Sequence, residues 1–337
     1  MQAYIRNKLL TYMIKYYLMI ERIWRMNNKI TFTGANKLFF AFCGVFLVYQ
    51  LVVGAVLGMA VYDHMYTIVL INEFLIAAFV IVYCLVKKIN IRETFRLNKL
   101  GIVPALLIIC TALPAMLAAT MLNNIVIYFL QFIGNIPSQS LPVPNSLPEL
   151  IVGIVIIGLS PGICEELMHR GFLLKAYEKR GSYKAVVIVS IFFGIFHFDI
   201  TNLFGPIFLG LVIGYYVVRT NSIYAGILAH FLNNAFAEVI QYITRNNVRP
   251  ENITLTAEEL IGIIAFGVLG LIITAALLYA FKLVTEGRSV IIPPISRTRQ
   301  DVKAVLSHWP VIAVIVLYVL MTLLYIFSIA LSKLMGI

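Results

Sequence analysis

Glu165, His197, His230 and Asn234 each lie inside a run of apolar residues, where a chain has no ordinary use for a polar side chain. An ion at the middle of a bilayer costs about 2.5 to 3.5 kcal/mol on insertion scales, so such groups need a reason. A carboxylate beside an imidazole in a low-dielectric cavity can hold a water and take its proton, which makes it a general base for hydrolysis. A second imidazole with an amide four residues on, both on one helical face, supplies donors to a developing oxyanion, worth about 3 kcal/mol per donor. Peptide-bond cleavage needs both functions. A second arrangement of the same residues has Glu165, His197 and His230 hold a zinc ion that acidifies the water. No HExxH motif is present, so zinc rests on composition alone.

The neighbours of these groups sharpen the reading. Glu165 belongs to Cys164-Glu165-Glu166-Leu167-Met168-His169-Arg170, directly after Pro161-Gly162, where a kink or a break in helical hydrogen bonding is expected. On a helix Glu166 and Arg170 are i,i+4 neighbours and can pair, while Glu165, about 100° around, is free to face elsewhere. Phe193, at i−4 from His197, shares that residue's face and forms an apolar wall. Counted from Gly181, the centre of the turn between two apolar runs, Glu165 lies sixteen residues before and His197 sixteen after, so an antiparallel hairpin puts them level. From a turn centred near Asn221, His230 and Asn234 stand roughly 14 and 20 Å along their helix. If the basic turn of the first hairpin protrudes by a few residues, four groups on three helices share one layer.

The remaining polar groups are minor candidates. Glu73 and Glu238 either line the cavity or pair with neighbours, and His169, at i+4 from Glu165, can reach back toward that carboxylate. Cys43, Cys84, Cys110 and Cys164 lack metal spacing and read as small buried apolar residues, Cys164 being the one placed to act as a nucleophile. His64 and His308 fall near the membrane surfaces and receive no role.

The elements that position these groups must be membrane helices. The 337 residues are 61% apolar and 12% charged, against about 45–50% and about 25% in soluble domains. Mean hydropathy is +0.94. The net charge of +11 would suit nucleic acid only if gathered on the face of a soluble module, and here it lies between apolar runs. Nine spans are expected, over 38–62, 65–86, 101–122, 149–174, 185–198, 205–218, 223–243, 258–281 and 311–332, the fifth and sixth short for a bilayer. With the N-terminus inside, inner segments hold 22 Lys and Arg and outer ones three, Arg245, Arg249 and Lys333. Cytoplasmic loops carry such an excess. The basic segment 1–37 reads as an amphipathic helix on the inner leaflet, and no cleaved signal peptide is expected. Residues 134–148, with four prolines before the next span and no charge until Glu149, read as an extended outer loop.

Glu165-Glu166-x-x-x-Arg170, Phe193-x-x-x-His197 and His230-x-x-x-Asn234, in that order on successive membrane helices, resemble the CAAX prenyl endopeptidase and bacteriocin-processing (Abi) family of intramembrane proteases. The resemblance covers about residues 149–245. It implies an eight-helix core with a cavity open to the cytosol and cleavage of peptides near the membrane. By the same resemblance Glu165 is the catalytic glutamate, His197 its water-holding partner, His230 and Asn234 the oxyanion pair, Glu166 and Arg170 a supporting ion pair, and Phe193 the aromatic of the second motif. The family is described both as metalloprotease and as metal-independent glutamate protease; the latter suits these residues better, because the His-x-x-x-Asn pair already has a role.

The expected molecule is an all-α, polytopic transmembrane bundle of about eight core helices plus a C-terminal ninth, in the cell membrane with its N-terminus cytoplasmic. Its expected divisions are a basic interfacial segment (1–37), N-terminal transmembrane helices with the outer loop (38–148), a catalytic core (149–245) and C-terminal transmembrane helices (246–337). The expected partners are the lipid bilayer and a membrane-anchored peptide or protein substrate, with no nucleic acid. Two other readings compete. A proton-coupled transporter would use Glu73 and Glu238 in a proton path, but no pair of broken helices recurs in corresponding halves of the chain. A non-catalytic scaffold or immunity protein would keep the fold and bind a partner.

Overall fold

The structure, a computed structural model, describes Ile14 and residues 30–138, 142–247, 251–289 and 291–336; most of the basic segment 1–37 and its expected interfacial helix lie outside them. Among the described residues every expected span falls on a helix. These are α1 (Phe32–Leu57), α2 (Met65–Val86), α3 (Ile102–Leu130), α4 (Leu147–Arg180), α5 (Ser182–Ile195), α6 (Phe204–Thr220), α7 (Ile223–Ile243), α8 (Ala257–Val284) and α10 (Trp309–Met335). Seven of them are long and apolar enough to cross a membrane, and α5 and α6 are the two shorter ones. A further helix, α9 (Thr298–Leu306), precedes α10. The chain is a polytopic helical membrane bundle.

Local chemistry sets the helix ends. Thr31 accepts the Gly34 N–H at 3.1 Å, Ser146 accepts that of Glu149 at 3.4 Å, and Thr256 with Glu259 forms a reciprocal capping box. The proline-rich stretch behaves as expected only in part. Ile136–Pro137 (β1) is extended and pairs antiparallel with Asn252–Ile253 (β2), but α4 already begins at Leu147, because Pro148 in a first turn has no N–H that the helix needs.

Backbone donors and acceptors are satisfied within the helices, as hydrocarbon demands. Apolar side chains such as Leu51, Val56, Phe74, Ile272 and Leu324 are exposed on the outside of the bundle, where lipid is the solvent. At the basic end, polar ties join distant segments. Arg96 donates to Glu178 at 2.8 Å and to the Asn221 Oδ1 at 3.1 Å, holding the α2–α3 connection against the end of α4 and the α6–α7 turn. Tyr177 donates to Asn36 at 2.5 Å, and the Asn36 amide reaches His308 Nδ1 at 3.1 Å. His308 is therefore an anchor of α10 on α1, reinforced by Trp309 against Phe40 with ring centroids 5.1 Å apart. The core behind the site is aromatic, with Phe39 stacked on Phe192 and Phe42 on Phe196.

Candidate active site

The site begins with a disturbed helix. Pro161 has no N–H to give, and its ring crowds the carbonyl four residues earlier, that of Ile157. The chain answers with a wide π turn over Ile154–Leu159, where the Ser160 N–H reaches back to Val155. The break in helical hydrogen bonding expected at Pro161-Gly162 is there, as a widened turn. The side chain of Asn234, from α7, donates to the Ile157 oxygen at 3.0 Å. A second π stretch follows at Leu167–Leu173 and buries Met168, His169, Arg170 and Gly171 in succession. Such turns recur at functional sites because they present side chains that a regular helix would separate.

Glu166 is the electrostatic centre. Its Oε1 accepts from Arg170 Nη1 at 2.6 Å and from His230 Nδ1 at 3.0 Å, and the residue is fully buried. The expected i,i+4 pair is formed, with His230 joining it across helices. A carboxylate oxygen cannot donate, so His230 carries its proton on Nδ1 in this contact. Arg170 also donates to the Gly210 carbonyl at 3.4 Å, and its guanidinium lies 4.4 Å from the centre of the Phe193 ring. Glu166 comes so close to α7 that a Cβ on Gly226 would stand 2.5 Å from its Oε2; glycine is what admits it.

Glu165 faces the other side of that imidazole. Its Oε2 is buried, makes no hydrogen bond and lies 3.8 Å from His230 Nε2. That gap is too long for a direct bond and suits a bridging water. Phe193 is more than a wall: its ring touches those of His169, His197 and His230, at centroid distances of 4.9, 5.2 and 5.7 Å. His197 is thus brought to the site beside His230, with its Nδ1 on the Phe193 carbonyl at 2.8 Å and Nε2 left free to accept. No ion-pair contact joins His197 to Glu165, so the imidazole nearest the carboxylate is His230. His169 does not reach the Glu165 carboxylate; its Nδ1 bonds the Glu165 main-chain oxygen at 2.9 Å and its ring sits among Phe39, Phe193 and Phe196.

The other candidates separate cleanly. Asn233 bonds Asn234 at 3.1 Å and lines a hollow of about 10 Å³ with Thr111 and Tyr216. Glu238 lies toward the opposite end, against Gly153, and accepts from Gln241 at 3.2 Å. Glu73 is buried, and its Oε2 has no hydrogen-bond partner among the described residues. All four cysteines are free thiols, but Cys110 is exposed on the outside of α3, correcting its reading as buried: lipid accepts a thiol as readily as a core does. A groove of about 430 Å³ between α5, α9 and α10 holds none of the site residues and has an apolar, outward-facing lining.

Zinc does not fit this arrangement. Among the described residues no group of three His, Cys, Asp or Glu side chains converges as metal ligands do. His197 and His230 keep Nε2 as the ring nitrogen that could bind an ion, but Glu165, His197 and His230 do not converge closely enough to share one.

Residues 147–236 match the family model described as Type II CAAX prenyl endopeptidase Rce1-like. Over 102 residues the chain is 32% identical to the Bacillus subtilis (strain 168) protein named "Putative membrane peptidase YdiL", an alignment covering 30% of this chain and 41% of that relative. The chain thus spans about two fifths of the relative it matches. No solved structure matches. The membrane-protease family suggested by the three motifs is the family that this segment matches.

Proposed function

We propose that the protein is an intramembrane endopeptidase that hydrolyses a peptide bond in a membrane-anchored peptide or protein. The observation that carries this reading is the unpartnered Glu165 oxygen facing His230 Nε2 across 3.8 Å, with His197 beside it. Glu165 takes a proton from water held between it and the free Nε2 of His197. The hydroxide oxygen bonds to the scissile carbonyl carbon, and the carbonyl oxygen becomes an oxyanion. Asn234 contributes the amide proton not spent on Ile157. His230 donates from Nε2 as an imidazolium, since its Nδ1 proton is already engaged, and the Glu166 carboxylate stabilises that charge. When the C–N bond breaks, the proton on Glu165 passes to the leaving nitrogen, and Glu165 is ready for another water. Arg170 fixes Glu166, and Phe193 spaces the three imidazoles.

The match over 147–236 supports this reading, as does the name of the relative, and the charge asymmetry of the loops supports a cytoplasmic N-terminus and a cavity reached from the basic, cytosolic end. Cleavage of a lipid-tethered peptide library by the purified protein tests it. The Glu165→Gln variant is expected to lose about 10²-fold or more in kcat, as for a general base. Turnover by that variant at the wild-type rate would remove the enzyme from this account.

A further inference from the structure

Glu73 is the buried acid that the site, as described so far, does not use. It sits on α2 at 6% exposure, its Oε2 is buried without a partner, and among the described residues it makes no hydrogen bond or ion pair. The helix that carries it packs on the Ser160–Glu166 part of α4. Tyr83 of α2 meets Phe172 of α4 with ring centroids 5.2 Å apart, which sets the register of the two helices. From that contact Glu73 lies ten residues toward the far end of α2 and Glu165 seven along α4 in the same direction. The three-residue difference is about 4.5 Å of rise, less than one turn and within the reach of two glutamate side chains. Glu73 also lies within electrostatic range of both Glu165 and Cys164.

Donor and acceptor counting on the facing sides of α2 and α4 singles out one pair. The two neighbouring helices each present a buried carboxyl oxygen with no partner, Glu73 Oε2 and Glu165 Oε2. Two adjacent carboxylates in an apolar interior repel strongly, whereas one proton between them satisfies both and leaves a single negative charge. The other titratable groups on the helices packed against α2 do not replace that proton. On α4, Glu166 and Arg170 pair with each other and the remaining Glu166 oxygen faces Gly226 of α7; His169 bonds a main-chain oxygen through Nδ1, and its Nε2, also without a partner, belongs to a ring enclosed by Phe39, Phe193 and Phe196. Cys164 is a neutral neighbour. On α1 they are Cys43 and Tyr49, with Lys37 toward the basic end.

We propose that Glu73 is the proton-holding partner of Glu165: protonated Glu73 donates to the Glu165 carboxylate, turning its other lone pairs to the attacking water while the pair carries one charge. The inference rests on the protease reading above. Glu73 acts through Glu165 and not on the substrate, so it is a positioning residue. The proton taken from water still travels through Glu165 to the leaving nitrogen, and the proton of Glu73 is retained through the cycle.

The test compares Glu73→Gln and Glu73→Leu in the full-length protein, with kcat and KM followed across pH on a lipid-tethered peptide. A pair sharing a proton titrates in two steps, so wild-type kcat/KM rises and then falls with pH. An amide keeps a donor but cannot titrate. Glu73→Gln is therefore expected to cleave within about 3-fold of wild type while its high-pH limb loses one of two proton steps and keeps only the single step of the His230 imidazolium, and Glu73→Leu to lose tenfold or more in kcat with KM unchanged. A high-pH limb of unchanged steepness in Glu73→Gln overturns the proposal, as does a folded Glu73→Gln without activity or a Glu73→Leu that matches wild type. If Glu73→Leu fails to fold, the Gln profile decides. Failure here with Glu165→Gln inactive sinks only the role of Glu73; an active Glu165→Gln sinks the protease reading itself.

Discussion

Glu166 Oε1 takes two donors at once, a guanidinium from its own helix and an imidazole from α7, and so couples the orientation of His230 to an ion pair inside the bundle. Removing one partner of such a buried pair leaves an uncompensated charge, at about 3–5 kcal/mol. The choice of arginine matters separately. Arg170 uses one nitrogen for Glu166 and another for the Gly210 carbonyl, with its plane over Phe193. A lysine offers a point charge with neither the fork nor the flat face. Arg170→Lys is therefore expected to keep the charge yet lower the unfolding midpoint in detergent and reduce kcat about tenfold or more. Wild-type values for both would show that charge alone suffices there.

On the scale of the element, α4 works because it is irregular. Pro161 withholds the N–H that Ile157 would accept, and Asn234 fills that acceptor, so an imperfection in one helix fixes an amide of another next to the reacting groups. Asn234→Ala should leave the Ile157 carbonyl short of a partner, costing about 1–3 kcal/mol. Pro161→Ala restores a main-chain donor. The double variant Pro161→Ala/Asn234→Ala is accordingly expected to recover most of the stability lost by Asn234→Ala, measured as a double-mutant cycle in thermal unfolding, while its cleavage activity stays low. Strictly additive losses in stability would show that the Ile157 carbonyl does not link the two positions. His169 shows what an i,i+4 count leaves open: its Nδ1 takes the main-chain oxygen of Glu165 and not the carboxylate, as His197 takes that of Phe193 on α5.

Across the whole molecule, the site helices are held in register by polar ties at the basic end, and one of these is open to solvent conditions. Asp301 on α9 accepts from Arg180 and Lys184 at 2.6 Å each and from Ser296 at 2.5 Å, docking the 282–310 connection on the α4–α5 turn. Burial alone would raise the Asp301 carboxyl, but the hydrogen bonds from Lys184, Ser296 and Arg180 outweigh it and hold the group down at about 2, from an ordinary 3.8. A carboxyl whose pKa is lower in the folded state stabilises fully above its unfolded value and loses that contribution as pH falls through its folded one. The docking therefore weakens between about pH 4 and about pH 2. Asp301→Asn should lower the unfolding midpoint at neutral pH and lose less further stability than wild type on acidification to about pH 3. Parallel acid curves for the two proteins would show that Asp301 does not carry this dependence.

Much of this was legible in the chain itself. The number and order of the membrane helices follow from apolar runs alone, because hydrocarbon admits little else, and each expected span is found on a helix. The pairing of Glu166 with Arg170 follows from i,i+4 spacing, and the convergence of α4, α5 and α7 on one layer follows from counting residues from two turns. Tertiary structure decided the rest. Which imidazole meets Glu165 depends on how far α5 and α7 are rotated about their axes, and that angle is set by packing around Phe193 and by the clearance at Gly226. Where Asn234 spends its amide depends on a carbonyl that only the folded π turn exposes. The nearness of Glu73 to Glu165 crosses ninety-two residues of sequence and two helix connections; no periodicity within either helix encodes it, since it exists only once the two helices lie side by side.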